Sequence, residues 1–373
     1  MAQTFVLLIL VIVASYALYN ISANLQKAGI TTGFGFLNEP SGFDISQTLI
    51  EYSSQSTYAD ALVVGILNTL LVSVLGIFFS TFIGFFLGVI RLSPNWLVSR
   101  MAAAYTEIIR NIPLLLQVLF WYLAILAPLP GPSKAFDLSG IFFLCNRGLQ
   151  MPKPIFQEGF NVTLVTIIAT FILSVILVIW SRNRQRTTGK RFPAYLVALT
   201  LLILLPLMSF LGSGSPMHWE IPALKGFNFS GGITVLPELI ALGLALTLYS
   251  ATFIGEYVRS GIMAVDKGQK EAALALGYRP GLMYRLIIIP QAMRVVTPPL
   301  ISQYLTLIKN SSLAVVIGYP ELVHVFAGTA LNQSGQAVEI ICITMAAYLS
   351  ISLVISFLMN WYNKKIALRG QEG

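Results

Sequence analysis

Long apolar stretches separated by short polar segments run along almost the whole chain. Apolar runs of roughly 18 or more residues can cross a bilayer core as helices, whereas a membrane β-barrel shows alternating segments of about ten residues. The pattern therefore predicts an all-α integral membrane protein with about eight transmembrane helices. The predicted spans are Thr4–Asn20, Leu62–Ile90, Met101–Ala127, Phe160–Trp180, Ala194–Leu211, Ile233–Val258, Thr297–Gly318 and Ala337–Trp361.

The composition supports a membrane protein and excludes other classes. Hydrophobic residues make up 56% of the 373 residues and charged residues 10%, whereas a soluble domain carries about 25% charged residues. So few charges cannot cover a water-facing surface, which excludes a soluble enzyme and a disordered chain. The two cysteines and two histidines lie far apart in the sequence, so we expect neither a disulfide framework nor a metal site.

The basic residues orient the predicted spans. If the N-terminus is cytoplasmic, the cytoplasmic loops are 91–100, 182–193, 259–296 and 362–373, and they hold 16 of the 23 Lys and Arg residues. Loops that are rich in Lys and Arg stay on the cytoplasmic side of the membrane. The distribution therefore predicts a multi-pass protein with both termini in the cytoplasm. It also accounts for the net charge of +8 without a nucleic acid partner.

The loop between the sixth and seventh predicted spans, residues 259–296, is unusually long. Lys270 to Leu276 are mostly strong helix formers, and Gly277 and Pro280 follow where a helix would end. The pattern predicts a short helix at the cytoplasmic surface. Such a helix could dock into a groove of a partner protein or rest on the lipid headgroups, and the residues alone leave both interpretations open.

This loop resembles the EAA signature of permease subunits of ATP-binding cassette importers. The matching residues are Glu271-Ala272-Ala273, then Gly277 after three residues, Ile287 after nine more, and Ile289-Pro290. Other segments are similar to the polar amino acid branch of that family. They are Asn68-Thr69-Leu70, Tyr105–Gln117, Ala251–Ile262, Lys267-Gly268-Gln269, Pro290–Arg294 and Lys309–Leu313.

The resemblance implies the type I importer permease fold and a division of the chain. The five-helix core would comprise residues 60–127 and 233–373, including the coupling loop 259–296. Residues 1–59 would form an N-terminal anchor helix and a periplasmic segment. Residues 128–232 would be an insertion with two extra transmembrane helices. This enlarged layout resembles the long permease subunit of general L-amino acid importers.

The resemblance also implies roles for the residues of the loop. In the family this loop is the coupling helix, which sits in a cleft of the ATPase. Glu271, Ala272, Ala273, Gly277 and Pro290 are therefore the predicted coupling residues. The small side chains of Ala272 and Ala273 would allow a close approach to the partner, and Pro290 would direct the chain back to the membrane.

The implied function is that of a transmembrane permease subunit of an ATP-driven, binding-protein-dependent amino acid importer in the inner membrane. The chain would form half of the translocation pathway, which works by alternating access. The implied partners are a second, non-identical permease, two ATPase subunits and a periplasmic substrate-binding protein. The sequence has no G-x-x-x-x-G-K-[ST] phosphate loop, so this chain would be no enzyme, and ATP and Mg would bind to the ATPase.

Two other functional classes have requirements that differ from those of a permease subunit. An amino acid transporter driven by an ion gradient is the alternative. It would work without an ATPase and would need an embedded carboxylate for the coupling ion. A membrane-bound enzyme would need a cluster of His, Asp, Glu or Cys residues, and the sequence contains none.

Polar side chains inside the predicted spans are further candidates, because ionisable residues are costly in a membrane. Glu107 and Arg110 are three residues apart, as are Glu256 and Arg259, so each pair lies on one helix face and could form an ion pair. Such pairs could hold a helix end or belong to a cytoplasmic gate, and Glu256 could line an inner vestibule. Asn68 could line the substrate pathway or act as a packing amide.

Four consecutive polar residues, Lys309, Asn310, Ser311 and Ser312, lie about 18 Å along the seventh predicted span when counted from Thr297. They could continue the helix, or they could break it, with a serine capping a second short helix. Broken helices near the bilayer middle form substrate sites in transporters, and a lysine suits the carboxylate of an amino acid. In the resembling family an aspartate is common at Asn310, so the asparagine favours neutral or broad selectivity.

Overall fold

The protein is built mainly from α-helices. The computed structural model describes residues 2–27, 33–190 and 192–368. The α-helices in chain order are α1 Ala2–Lys27, α2 Tyr58–Ile90, α3 Trp96–Asn111, α4 Leu114–Leu119, α5 Phe160–Thr188, α6 Ala194–Gly212, α7 Pro237–Met263, α8 Lys267–Ala275, α9 Pro280–Met283, α10 Ile289–Asn310, α11 Leu331–Ser334 and α12 Ala337–Leu368. The π-helices are Phe120–Leu126, Tyr284–Ile288 and Val323–Ala330, and the 3₁₀-helices are Gly35–Asn38, Pro132–Lys134 and Ser311–Ile317.

The chain divides into two compact units. The first comprises residues 1–128 and 236–373, and the second comprises residues 129–235. α1 to α4 and α7 to α12 belong to the first unit, which therefore contains the residues of the predicted coupling loop. α5 and α6 belong to the second unit.

Six helices of the described residues are long and apolar enough to cross a membrane, and α3 with the helix that follows it would make a seventh. A helical membrane protein is thereby confirmed, and the expected eight spans are corrected to six or seven. The difference arises at the N-terminus. There the described residues give the apolar helix Thr4–Val13, which is too short to be counted among the six or seven spans.

The predicted third span, residues 101–127, is sharply bent instead of straight. Its two halves meet at an angle of 100°. Ile112 at the bend is extended, with φ −89° and ψ 125°, because the ring of Pro113 disfavours a helical conformation of the preceding residue. The amide of Gln117 donates hydrogen bonds to the carbonyl groups of Ile109 and Ile112, at 2.9 and 3.0 Å. These bonds satisfy carbonyls that the bend would otherwise leave unpaired.

The predicted loop 259–296 is largely helical, which corrects its boundaries. α7 continues to Met263, and a helical run from Pro280 to Ile317 passes through α9, a π-helix, α10 and a 3₁₀-helix. The connection between the two long helices is therefore only residues 264–279, which contain α8. Arginines among the apolar residues kept the first part of this run out of the predicted span.

Small residues let α2 and α7 pack at very short range. Gly84 and Gly88 are buried on α2 four positions apart, which places them on one helix face, and both lie against α7. A Cβ atom added at Gly84 would lie only 2.6 Å from the Cβ atom of Ile254 on α7. Helices in membranes commonly approach each other through such small-residue faces.

A second core of the first unit joins the segment before α2 to the segment before α12. Phe36 and Tyr58 belong to the same buried cluster as Leu322 and Phe326. The rings of Phe36 and Tyr58 meet edge to face with their centroids 5.6 Å apart. The chain that leads into α2 is therefore held against the π-helix Val323–Ala330.

The second unit combines a helical hairpin with short strands. The strands are β1 Phe136–Leu138, β2 Phe142–Cys145, β3 Gly148–Met151, β4 Lys153–Phe156, β5 Met217–Glu220, β6 Ala223–Lys225, β7 Asn228–Ser230 and β8 Ile233–Val235. They form one antiparallel sheet in the order β1-β2-β3-β8 and two pairs, β4-β5 and β6-β7. Strands of three or four residues are too short to show an alternating pattern, so the expectation of a purely helical chain missed them.

Candidate coupling helix and polar clusters

α8 begins and ends at residues with clear capping roles. The carboxylate of Asp266 caps the N-terminus by accepting a hydrogen bond of 2.6 Å from the backbone N–H two residues further on. At the other end Gly277 has a left-handed backbone, with φ +75°. Its N–H donates to the carbonyl of Leu274 at 2.9 Å, and the N–H of Tyr278 donates to the carbonyl of Ala273 at 3.0 Å. This is a Schellman motif, which ends the helix at a glycine that tolerates positive φ.

One face of α8 packs on the helical run that follows it in the chain. Ala273 is 1% exposed and shares a buried cluster with Met283, Ile288 and Ala292. The expectation that both Ala272 and Ala273 face a partner is therefore wrong for Ala273. Its small side chain instead brings α8 close to the helical run that follows it in the chain.

The side chains around Ala273 at the end of α8 are exposed. Leu274 and Leu276 are 56% and 76% exposed, and Glu271, Ala272 and Gly277 are exposed beside them. Toward the rest of the described chain, Glu271 forms neither an ion pair nor a side-chain hydrogen bond. Leu274 and Leu276, two large apolar side chains at the end of a surface helix, are available for contact with another molecule.

Pro290 lies inside the helical run, near the start of α10. The π-helix Tyr284–Ile288 precedes it directly. A proline removes a backbone N–H and its ring crowds the preceding helical turn, and a wider π-helical turn accommodates such an insertion. The expectation that Pro290 directs the chain back to the membrane stays a prediction, and the structure places this proline inside a continuous helical run instead of at the end of a loop.

Glu256 is the centre of an ion cluster that joins α2 and α7. The Nε atom of Arg259 donates to its Oε1 atom at 3.1 Å, and Arg91 at the end of α2 pairs with its Oε2 atom. The carboxylate is thus paired with two guanidinium groups. A paired Glu256 holds helix ends together and does not supply the free carboxylate that an ion-coupled transporter would need.

Glu107 and Arg110 do not form the expected ion pair, so that prediction is wrong. Both side chains are exposed on α3. The guanidinium of Arg110 lies 4.5 Å from the centroid of the Phe253 ring on α7 instead, which is a cation–π contact. Within the described residues Glu107 has no ion pair. The arginine therefore links α3 to α7 instead of closing one turn of its own helix.

The polar residues that end α10 continue the helix instead of breaking it. α10 passes into the 3₁₀-helix Ser311–Ile317 without a side-chain cap. The Ser311 hydroxyl donates to the carbonyl of Ile308 at 2.6 Å, and the Ser312 hydroxyl donates to the carbonyl of Lys309 at 2.7 Å. Both serines are thus engaged with their own helix, so the capping alternative is wrong.

Lys309 and Asn310 differ from these serines. Lys309 is exposed and Asn310 is half-buried, whereas Ser311 is fully buried. Within the described residues, neither Lys309 nor Asn310 forms a side-chain hydrogen bond. The predicted position of Lys309, about 18 Å along the helix from Thr297, does not hold, because the helix begins well before Thr297. Lys309 and Asn310 are thus the members of this group whose side-chain polar atoms have no hydrogen-bond partner within the described residues.

Asn68 is a buried amide that holds three segments together. Its Nδ2 atom donates to the backbone carbonyl of Gln47 at 2.9 Å and to that of Pro320 at 2.8 Å. The hydroxyl of the adjacent Thr69 accepts the N–H of Leu322 at 3.1 Å. This geometry favours the packing role of Asn68 over a position that lines a pathway.

A buried carboxylate near Asn68 was missed by the sequence analysis. Glu321 is 0% exposed and accepts hydrogen bonds from the N–H groups of Val323 and His324, both at 2.9 Å, and from the Tyr348 hydroxyl at 2.8 Å. It caps the π-helix Val323–Ala330 and ties it to α12. Burial raises the pKa of Glu321, and the three hydrogen bonds oppose that shift. The available signal was an acidic residue directly before an apolar helix.

Residues 80–369 match the family of binding-protein-dependent transport system inner membrane components. The chain belongs to this family. The matched part contains the coupling motif, the Glu256 cluster and the polar residues at the end of α10. The resemblance that rested on the motif is thereby confirmed, and the chain is a membrane-spanning permease component of a transport system.

Relatives of this permease match it over nearly its whole length. AapQ, a general L-amino acid transport system permease protein of Rhizobium johnstonii, is 48% identical over 98% of this chain and 91% of its own. BztB, a glutamate/glutamine/aspartate/asparagine transport system permease protein of Rhodobacter capsulatus, is 42% identical over 98% of this chain and 93% of its own. YhdX of Escherichia coli K12 is 49% identical over 95% and 91%. Alignments of this extent include the second unit, so the relatives share the enlarged layout.

Proposed function

We propose that the chain is the transmembrane permease subunit of an ATP-driven, binding-protein-dependent amino acid importer. It forms half of the translocation pathway, which opens alternately to the two sides of the membrane. The family membership supports the binding-protein-dependent mechanism. The names of AapQ and BztB, both of which refer to amino acid transport, support the class of substrate.

The observation that carries this proposal is the geometry of α8. The helix is capped at both ends, it is fixed to its own chain through Ala273, and it presents Leu274 and Leu276 outward. Because Ala273 shares a core with Met283 and Ile288, a force applied to α8 is passed directly to the long helical run that begins at Pro280. A helix that only rests on lipid headgroups would not need this rigid connection.

The motor and the other half of the pathway belong to partner chains in this proposal. Two ATPase subunits bind ATP and Mg, and one of them receives α8. A second, non-identical permease completes the pathway, and a periplasmic binding protein delivers the amino acid. The lack of a phosphate loop in the sequence supports a separate ATPase. The excess of basic residues in the predicted cytoplasmic loops supports an inner-membrane location with both termini in the cytoplasm.

We propose Lys309 and Asn310 as the substrate contacts of this chain. The exposed ammonium group of Lys309 suits the α-carboxylate that all amino acid substrates share, because opposite charges attract strongly in a membrane interior. Asn310 offers both a donor and an acceptor beside it. The neutral amide imposes no charge requirement on the substrate side chain, which is consistent with broad selectivity.

Paired substitutions at Gly277 test the coupling role. Aspartate and asparagine have the same size and both tolerate a left-handed backbone better than other residues with side chains, but only aspartate adds a charge beside the exposed leucines. We expect Gly277→Asp to lose most ATPase co-purification and substrate-stimulated ATP hydrolysis, since an unpaired charge in a packed contact is costly. Gly277→Asn should keep much more of the ATPase co-purification and of the substrate-stimulated ATP hydrolysis. Equal behaviour of Gly277→Asp and wild type would show that α8 is not the coupling helix.

Reconstituted transport tests the proposal against the ion-driven alternative. Vesicles that contain the whole set of subunits should accumulate an amino acid only when ATP and the binding protein are supplied. Vesicles that contain only this chain should show no uptake under an imposed proton or sodium gradient. Gradient-driven uptake by this chain alone would overturn the proposal.

A further inference from the structure

Basic residues collect at the end of the α5–α6 hairpin of the second unit. Arg182, Arg184 and Arg186 lie on the last turns of α5, and Lys190 follows in the turn toward α6. We call these four residues the basic cluster. No aspartate or glutamate occurs between positions 158 and 220 of the sequence. The hairpin therefore has a cationic end and no carboxylate of its own to neutralise it.

Aromatic side chains contact two of these arginines and mark their depth in the membrane. The guanidinium of Arg182 donates to the Tyr195 hydroxyl at 2.7 Å, and the guanidinium of Arg184 lies 5.3 Å from the centroid of the Trp180 ring. The Trp180 and Phe192 rings meet edge to face at 5.8 Å. Because Trp and Tyr accumulate where a membrane meets water, this group marks the point at which α5 leaves the apolar phase.

The basic cluster begins at this level and extends outward from it. α5 continues without a break from Trp180 to Thr188, which is about 12 Å at 1.5 Å per residue. The headgroup layer on each side of a bilayer is about 5–8 Å thick. Arg184, four residues past Trp180, therefore stands at the depth of the lipid phosphates, and Arg186 stands at their outer edge. Gly189, with φ +70°, ends α5 just before Lys190.

We propose that the basic cluster binds the phosphodiester groups of anionic phospholipids. Guanidinium groups form paired, charge-assisted hydrogen bonds with phosphate oxygens, and basic clusters beside a membrane helix attract anionic lipids. The same end of the hairpin supplies apolar contacts for the acyl chains, because Ile179 and Leu196 are exposed just inside the aromatic group. Side chains that suit a lipid headgroup and side chains that suit acyl chains thus lie within a few residues of each other in the sequence.

The surroundings of the cluster favour a lipid over other anionic partners. A nucleic acid or an acidic protein would contact the charges but would leave the half-exposed Trp180 ring and the exposed isoleucine and leucine side chains without apolar partners. A phospholipid covers both kinds of surface at once. The inference concerns only residues of the second unit, and it holds whether or not the proposed transport function is correct.

Native mass spectrometry of the full-length protein in detergent tests this site. The probes are phosphatidylglycerol and phosphatidylcholine with identical acyl chains. Each basic side chain near an anionic surface contributes about a fivefold preference, so the wild type should bind phosphatidylglycerol at least about tenfold more tightly than phosphatidylcholine. The variant Arg184→Gln/Arg186→Gln/Lys190→Gln should lose that preference. The matched control Arg184→Lys/Arg186→Lys should keep most of it, because the charges remain.

Several results would overturn the proposal. Equal binding of the two lipids by the wild type, or an unchanged preference in the glutamine variant, would remove the site. Competition by soluble glycerol phosphate as effective as that by phosphatidylglycerol would identify a free phosphate compound as the ligand. Loss of binding to an oligonucleotide or to a protein partner in the glutamine variant, with lipid preference intact, would assign the cluster to that partner instead.

Discussion

The substitution Gly84→Ala should force α2 and α7 apart. The added Cβ atom would lie 2.6 Å from the Cβ atom of Ile254 and 2.9 Å from the carbonyl oxygen of Ala251. Carbon atoms in contact normally lie about 3.5–4.0 Å apart, so the helices must separate by about 1 Å. Overpacking of this kind costs about 1–3 kcal/mol, and here it also loosens contacts along the rest of the interface.

A second glycine offers a matched control for this experiment. Gly243 also lies in a membrane helix, α7, and a Cβ atom there would meet nothing within 4 Å. Alanine is favoured over glycine in a helix interior by about 1 kcal/mol, so Gly243→Ala should be at least as stable as the wild type. The comparison of the two variants therefore separates close packing from helix propensity.

The assay is heat treatment of the detergent-solubilised protein, followed by size-exclusion chromatography to measure the monodisperse fraction at each temperature. The midpoint of Gly84→Ala should fall by several degrees, and that of Gly243→Ala should stay level or rise. If Gly84→Ala has a midpoint equal to or above that of Gly243→Ala, the close approach of α2 and α7 is not as described.

Three further predictions concern the polar groups of the first unit. Burial raises the pKa of Glu321, so its contribution to stability is fully present below the unfolded pKa of the carboxyl group and is lost as the pH rises through its folded pKa. The midpoint of heat denaturation should therefore fall from acid to neutral pH. A Glu321→Gln variant with an equally steep fall would contradict this. Asn68→Ala should lower the midpoint at neutral pH, because two carbonyl groups lose their donor at a cost of about 1–3 kcal/mol, and an unchanged midpoint would show that the amide is not needed for packing. Lys309→Met should reduce uptake of all amino acid substrates alike while the complex still assembles. Asn310→Asp should shift the substrate preference toward amino acids with basic side chains. Unchanged uptake and unchanged substrate preference would assign both residues to packing.

Local signals in the sequence were enough for the long helices and for the end of α8. The apolar runs identified α2, α5, α6, α7 and α12 because a membrane helix is recognisable from its length and composition. The stop at Gly277 was also predictable, since a positive φ at a helix end is a property of the residue itself. The composition was also enough to exclude the soluble classes of protein.

Contacts between distant parts of the chain were not predictable in the same way. The guanidinium of Arg110 contacts the ring of Phe253 instead of pairing with Glu107, which lies one turn away. Nothing near Arg110 in the sequence indicates that ring. Ala273 is buried because of a helix that begins after it. The position of Glu321 before an apolar helix indicates its capping bonds, but its contact with Tyr348 and its burial depend on a distant helix.

Site-specific photo-crosslinking from Leu276 tests the central claim most directly. This side chain is 76% exposed at the end of α8, so p-benzoylphenylalanine in its place should be tolerated. In cells that express the whole transporter, illumination should link it to a chain that carries a nucleotide phosphate loop. The same group at Phe227, which is 93% exposed in the second unit, should not form that product. Crosslinks from Leu276 to lipid alone, or a product of equal yield from both positions, would contradict the coupling role of α8.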